Sequence, residues 1–238
     1  MENFKDFYKK ETTSIGYDSY RFGNFGGRKM SNIEIKNMIN FIQNNNNNKL
    51  IILDIGAGTG RLSKKLAMMN YEVTSLDSSR KMISQIPHMK NLEKKVGSLF
   101  DLSKIFRKKK FDVFVSLRVF FHLSKHEKLK ALKEIKKISN KHSLILIDTL
   151  NKKSLDRFLP NLFSKHKELN YYENEREIKE IIKELGGKEK LKRDFIIPRG
   201  IYLHAPGFLF YPIRLIDKLL LLTPFKYFAS SFTWAINF

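Results

Sequence analysis

An apolar run, Leu50-Ile51-Ile52-Leu53, passes directly into Asp54-Ile55-Gly56-Ala57-Gly58-Thr59-Gly60-Arg61. Four leucine or isoleucine residues in a row suit a parallel strand covered on both faces. Glycines at three alternate positions let the backbone turn tightly and bring a ligand close to the main chain before a helix begins. The stretch therefore commits the chain to an α/β fold with a ligand on the turn. Spacing narrows the ligand. A dinucleotide fingerprint needs G-x-G-x-x-G, and its third glycine would fall on Arg61; a P-loop needs G-x-x-x-x-G-K-[ST], which is absent. Asp54 instead precedes the first glycine by two, in the pattern D-x-G-x-G-x-G. A carboxylate there is a poor neighbour for a pyrophosphate and a good one for a ligand carrying cationic groups.

The next strand supports that choice. Tyr71-Glu72-Val73-Thr74-Ser75-Leu76-Asp77 alternates and ends on an acid, and Asp77 stands twenty-one residues after Gly56. That is about the ~20-residue interval at which a carboxylate ending a second strand meets ribose hydroxyls. The turn and its spaced acid resemble the class I S-adenosylmethionine-dependent methyltransferases, whose first motif has this form. The resemblance implies S-adenosylmethionine as cofactor and a Rossmann-like, doubly wound sheet of seven strands with an antiparallel last strand. It implies cofactor contacts from Asp54, Gly56, Ala57, Gly58, Gly60, Asp77 and Ser78, from Leu117 after the fourth strand, and from Ser98 and Leu99 beside the adenine, with Asp101 as an alternative polar partner. Tyr17 and Arg28 lie in a segment that folds over the cofactor in related enzymes. They are candidates for its methionine end, Arg28 as partner of the carboxylate; loop packing and a solvated arginine are the competing reading.

The 238 residues suit one domain with a substantial core. Residues 1–48 form an N-terminal cap segment and residues 49–238 carry the sheet. Ser31 and Glu34 have the spacing of a capping box, opening a helix with Ile35, Met38, Ile39 and Ile42 on one face. Met1-Glu2-Asn3-Phe4-Lys5-Asp6 has no apolar core of signal-peptide length, so a cytoplasmic protein is expected. Cysteine is absent, which removes disulfides and the thiolate-dependent routes to pyrimidine C5 methylation and cluster-based radical methylation. A net charge of +21 invites a nucleic-acid reading. Yet the chain is also loaded with asparagine, Asn44 to Asn48 included, and the same lysine excess fits a biased composition. The densest run, Arg107-Lys108-Lys109-Lys110, precedes a strand and so falls at the N-terminal edge of the sheet, away from the ligand crevice. Nucleic acid is the less favoured partner.

Beyond Gly60 the pattern alternates helix and strand. Helices are expected over 60–70, from Ser78 or Ser79 to Pro87, over 125–139, and over 173–185, where Gly186-Gly187 stops the last. Strands are expected over 94–99, 111–117, 143–150, 192–198 and 232–238. After the fourth strand, an Asp/Asn-Pro-Pro-aromatic turn would hold an exocyclic amine for N-methylation. The chain reads Leu117-Arg118-Val119-Phe120-Phe121-His122 instead. This turn is similar to that of small-molecule and lipid methyltransferases, where an apolar loop and often a histidine lie near the transferring methyl. His122 is the candidate general base, deprotonating a hydroxyl as it attacks the methyl carbon; a packed or capping histidine is the alternative. Asp148, near the end of the fifth strand, either faces substrate or caps the turn at Asn151. No compact cluster of carboxylates and histidines points to a metal.

Two segments remain. The connection from Asn151 to Asn170 suits a substrate lid. Arg199 to Ser231 is an insert between the last two strands, rich in Phe, Tyr, Leu and Pro, with a short helix over 213–222 bearing Arg214, Asp217 and Lys218 as a polar stripe. No apolar run approaches the ~20 residues of a spanning helix. The insert either roofs the pocket with its apolar residues turned inward, the preferred reading, or lies against an anionic membrane. Both predict a small apolar or lipid-linked acceptor, methylated on oxygen or carbon. RNA methylation and cofactor binding without turnover are the alternatives.

Overall fold

A computed structural model describes residues 16–45, 50–158 and 170–238, with the side chains of residues 20, 21, 45 and 158 also outside it. Most of the expected lid and the first residues of the chain therefore lie outside the described residues. In chain order the helices and strands are α1 (Tyr17–Phe22), α2 (Phe25–Asn45), β1 (Ile51–Ile55), α3 (Arg61–Met68), β2 (Glu72–Asp77), α4 (Arg80–Ile83), β3 (Leu92–Val96), α5 (Leu102–Phe106), β4 (Phe111–Ser116), α6 (Lys125–Lys137), β5 (Ser139–Asn151), α7 (Leu155–Phe158), β6 (Tyr172–Glu173), α8 (Glu175–Glu184), β7 (Lys188–Asp194), α9 (Arg199–His204), α10 (Phe210–Leu221) and β8 (Ser231–Asn237).

The strands form one sheet in the order β3-β2-β1-β4-β5-β8-β7, with β6 paired to β5. Strands β1 to β5 are mutually parallel, and β8 is antiparallel to both β5 and β7. The order reverses between β1 and β4, the switch point at which parallel sheets open a crevice beyond their carboxyl ends. Side-chain alternation divides the core into two layers. Leu53, Ile55, Phe114, Ile145 and Ile147 pack on one face with α5, α6 and α8. Ile52, Val73, Val113, Val115 and Leu146 pack on the other with α2, α3 and α4.

Several boundaries differ from the expected ones, each for a local reason. The sheet has eight strands rather than seven, because Tyr172 and Glu173 pair with Leu150 and Asn151 on the side of β5 away from β8. Two residues give no alternation to read. Strand β3 spans 92–96 rather than 94–99, and as an edge strand it buries only Leu92. Strand β7 spans 188–194 rather than 192–198. Phe195 adopts a left-handed φ of 59°, and the Ile196 and Ile197 amides donate to Asp217 at 2.7 and 2.9 Å. These residues bond into the insert instead of the sheet. The capping box expected at Ser31 and Glu34 is not one. Helix α2 begins at Phe25, the Asn24 side chain accepts from the Gly27 amide at 2.7 Å, and both residues fall in the helix interior, buried. A capping box does open α6, at Ser124 and Glu127.

The insert folds as α9, α10 and a 3-10 turn over Pro224–Phe228. Helix α9 lies so close to α2 that a Cβ on Gly26 would stand 2.0 Å from the Tyr202 carbonyl oxygen. Met30, Phe195, Tyr202 and Phe210 form a third apolar cluster there. Helix α10 starts at Phe210, earlier than expected, and two residues of its polar stripe, Arg214 and Asp217, point inward while Lys218 stays exposed. Asp217 is fully buried and Arg214 is 12 % exposed. Arg214 donates to Asp217 at 2.7 Å and also pairs with Asp194. The opposite face, with Tyr211, Leu215, Ile216, Leu219 and Leu222, is exposed. Inward packing of this face is thus overturned, because the buried amides and Asp194 claim the polar side of the helix. Among the described residues no helix is long and apolar enough to cross a membrane.

Replacing Asp217 with alanine removes one of the two carboxylates that pair with the buried Arg214 and strands two backbone amides. A loss of about 3–5 kcal/mol is expected, or roughly 10 °C in melting temperature for a chain of this size. Differential scanning calorimetry checks it, and a change within about 2 °C would contradict the buried network.

Candidate active site

The glycine turn sits at the switch point because β1 ends between β2 and β4. Gly56 has φ 72°, and a Cβ there would stand 2.2 Å from Val119 Cγ2; the turn after β4 closes directly on it. Gly58 has φ 56°, and no atom lies within 4 Å of where its Cβ would be. That space belongs to a crevice of about 320 Å3. Asp77, at the end of β2, accepts from the Gly58 amide and the Ser79 amide, both at 2.8 Å. Asp54, at the end of β1, is buried and accepts from Ser63 at 2.5 Å, and the Ser63 hydroxyl in turn accepts from Ser75 at 2.7 Å. Asp54, Gly56, Ala57, Gly58, Asp77, Ser78, Ser98, Leu99, Leu117 and Tyr17 all line the crevice. All ten come from the first half of the chain.

Two expected cofactor contacts stand elsewhere. Gly60 lies behind the turn, where a Cβ would meet Ile86 at 2.8 Å. Arg28 is exposed on α2 and donates to the Gly23 carbonyl, away from the crevice. Asp101, the alternative adenine partner, pairs with Lys104 at 3.3 Å outside the crevice. His122, buried in a 3-10 turn over 120–122, packs on the Phe121 ring at 4.4 Å between centroids and does not line the crevice. Asp148 neither caps Asn151 nor opens onto the crevice; it accepts from the Arg118 amide at 2.7 Å.

The cations that do line the crevice are Arg61 and Arg118. Arg118 follows β4 in a left-handed conformation, φ 65°, which its amide bond to Asp148 stabilises. Its guanidinium donates twice to Glu34, at 3.1 and 2.7 Å. Burial opposes the Arg118 charge, but Glu34 outweighs it and holds the group above its ordinary pKa. Arg61 donates to the Ser31 hydroxyl, and burial pushes its pKa down. Phe22 of α1 lies 3.6 Å from the Arg61 guanidinium and 5.0 Å from that of Arg118. The Thr59 hydroxyl reaches Asp18 at 2.9 Å. These contacts clamp α1 over the crevice. Sequence did offer one signal for Arg61. A cation in the first turn of a helix opposes the helix dipole, so something other than helix stability places it there.

Comparisons with known proteins agree with this geometry. Residues 52–142 match the family described as methyltransferase domain. A Staphylococcus carnosus protein described as an uncharacterized methyltransferase is 28 % identical over 145 residues, covering 57 % of this chain and 69 % of that protein. The ubiquinone biosynthesis O-methyltransferase of Pelagibacter ubique is 31 % identical over 103 residues, 42 % of each chain. In fold, the magnesium protoporphyrin IX methyltransferase of Synechocystis PCC 6803, solved with bound S-adenosylhomocysteine, superposes with a TM-score of 0.65 at 16 % identity, covering 98 % of this chain and 97 % of its own. Residues 52–142 are a methyltransferase domain, and the sheet around them has the fold of S-adenosylmethionine-dependent methyltransferases.

The crevice of the methyltransferase fits that cofactor on its own terms. The open space at Gly58 admits ligand atoms to the main chain, and Asp54 and Asp77 offer two carboxylates at adjacent strand ends. Burial pushes Asp54 up to about 6; the Ser63 hydroxyl pulls the other way, and Asp77 adds repulsion. A cationic ligand group beside Asp54 favours its ionised form. Binding of S-adenosylmethionine should therefore weaken as pH falls through about 6, by roughly ten-fold between about pH 8 and pH 5. Calorimetric titration checks this; the Asp54→Asn variant should lose the dependence, and an unchanged slope in it would assign the titration to another group.

Burial also pushes Asp148 up to about 7 from 3.8. A carboxyl raised on folding costs stability only while ionised: nothing below about 4, progressively more as pH rises, and its full cost above about 7. Asp148→Asn keeps an acceptor for the Arg118 amide and removes the charge. Its melting temperature should exceed the wild type's near pH 8 and converge with it near pH 4. A constant offset across that range would contradict the assignment.

Proposed function

We propose that this methyltransferase transfers the methyl to oxygen or carbon of a small apolar or lipid-linked acceptor. The observation that carries the reading is the turn after β4. Leu117 and Val119 line the crevice, Phe120 and Phe121 are buried behind them, and the segment Leu117–His122 contains no Asp/Asn-Pro-Pro-aromatic turn to grip an exocyclic amine. The similarity to an O-methyltransferase of ubiquinone biosynthesis supports oxygen as the accepting atom.

In this reading Asp77 receives the ribose hydroxyls, the Gly56-Ala57-Gly58 main chain and Asp54 face the cationic methionine end, and Ser98 and Leu99 flank the adenine. Arg61 or Arg118 takes the carboxylate role expected of Arg28, with Tyr17 beside them. S-adenosylmethionine supplies an electrophilic methyl carbon on its sulfonium. The protein supplies alignment and exclusion of water, through the apolar wall at Leu117 and Val119 and the clamp of α1. His122 serves in this arrangement to pack the turn against Phe121.

The test is transfer of isotopically labelled methyl from S-adenosylmethionine to organic-solvent extracts of cells and, separately, to total RNA. Label should enter a solvent-extractable apolar product. Label in RNA, or none in either from protein that binds the cofactor, would overturn the acceptor class. Asp77→Ala should weaken cofactor binding by about a hundred-fold or more, with Asp77→Asn in between.

A further inference from the structure

We propose that the outer face of α10, with the 3-10 turn that follows it, docks on an anionic lipid bilayer. Helix α10 is amphipathic with its sides reversed: the paired Arg214 and Asp217 face the protein. Among the described residues, eleven of the sixteen exposed large hydrophobic side chains fall between Ile201 and Phe228. They include Phe208, 77 % exposed, Leu222, 84 % exposed, and Tyr211, Leu215, Leu219 and Phe225. Such a concentration on one segment is a docking surface rather than the scattered exposure normal for soluble proteins.

Charge selects the occupant. Asp217 is the only acidic residue between Arg199 and Ser231, and it is buried, so the insert exposes no carboxylate. Lys218 is exposed at one edge of the apolar face, and Lys226 is partly exposed in the turn. Lys29 donates to the Tyr211 hydroxyl at 2.7 Å and lies 5.2 Å from its ring centroid, while Lys226 stands 5.6 Å from the Tyr227 ring centroid. Tyrosines with lysines above an apolar face match the boundary between acyl chains and headgroups. A protein partner would ordinarily meet a polar rim; the charges that α10 and its turn expose, Lys218 and Lys226, are cationic. A net charge of +21 adds long-range attraction to an anionic surface.

The face lies beyond the cap, yet it is tied to the crevice. Arg199, at the start of α9, approaches Glu34 at 3.5 Å, and Glu34 pairs with the crevice residue Arg118. Docking therefore goes beyond the acceptor reading and does not depend on it.

The test is co-sedimentation of the full chain with phosphatidylcholine vesicles, with and without phosphatidylglycerol. Wild-type protein should pellet with the anionic vesicles only, and raised salt should release it. Leu215→Glu/Leu222→Glu should lower partitioning by about a hundred-fold or more. Lys218→Glu/Lys226→Glu should lower it by at least about ten-fold. Both variants should bind S-adenosylhomocysteine like wild type, which separates loss of docking from loss of fold or of the cofactor site. Three results would overturn the proposal: wild type remaining in the supernatant with anionic vesicles, equal partitioning of the Leu215→Glu/Leu222→Glu variant, or vesicle-free self-association that this variant abolishes, which would make the face a contact between two copies.

Discussion

Glu34 is the carboxylate on which the upper half of the molecule closes. It sits inside α2, buried, with Arg118 at 2.7 Å on one side and Arg199 at 3.5 Å on the other. Burial alone would push its pKa up; the two arginines outweigh that and hold it below the ordinary carboxylate range. Arg118 belongs to the crevice wall, Arg199 begins the insert, and α2 carries the cap. Three parts of the chain thus share one buried charge. Such a network contributes little net stability over an apolar core but is costly to break at a single member. Its value here is positional, since it fixes the guanidinium against which Phe22 of α1 packs.

The carboxyl edge of the sheet gathers acids in a chain of opposite net charge. The chain carries +21 overall, yet the ends of β1, β2 and β5 each place an acid at the same sheet edge, Asp54, Asp77 and Asp148. This follows from topology: parallel strands end together, so residues far apart in sequence converge on one rim. Burial raises the pKa of all three. Asp54 and Asp77, the two that line the crevice, favour a cationic ligand group because it stabilises their ionised forms against burial.

The insert follows a similar logic with a different result. The Ile196 and Ile197 amides leave the sheet once Phe195 turns the backbone, and each needs an acceptor. Asp217 provides it for both, at 2.7 and 2.9 Å. Turning Asp217 inward rotates α10 so that its leucines face away from the core. Satisfying buried amides outranked burying those side chains, and the apolar face became available for another surface.

The sequence alone determined the strand-turn-helix at Leu50 to Leu62, the acid at Asp77, the class of fold and the apolar turn after β4. Each rests on local pattern: a short apolar run, glycines at fixed spacing, a carboxylate at a known interval. It did not determine which cation reaches the crevice. Arg28 was the nearer candidate by motif, and Arg61 and Arg118 took the place because α2 carries Arg28 to the surface, while Arg61 opens α3 at the turn and a left-handed residue holds Arg118. Nor did pattern distinguish the Ser31 and Glu34 pair from a capping box, since identical spacing occurs inside a helix when an earlier residue, Asn24, caps it. The polar stripe of α10 was visible at its correct spacing, but its direction was not. Periodicity defines the two faces of a helix; only the partners that fold brings beside it, here Asp194 and two unpaired amides, decide which face turns in.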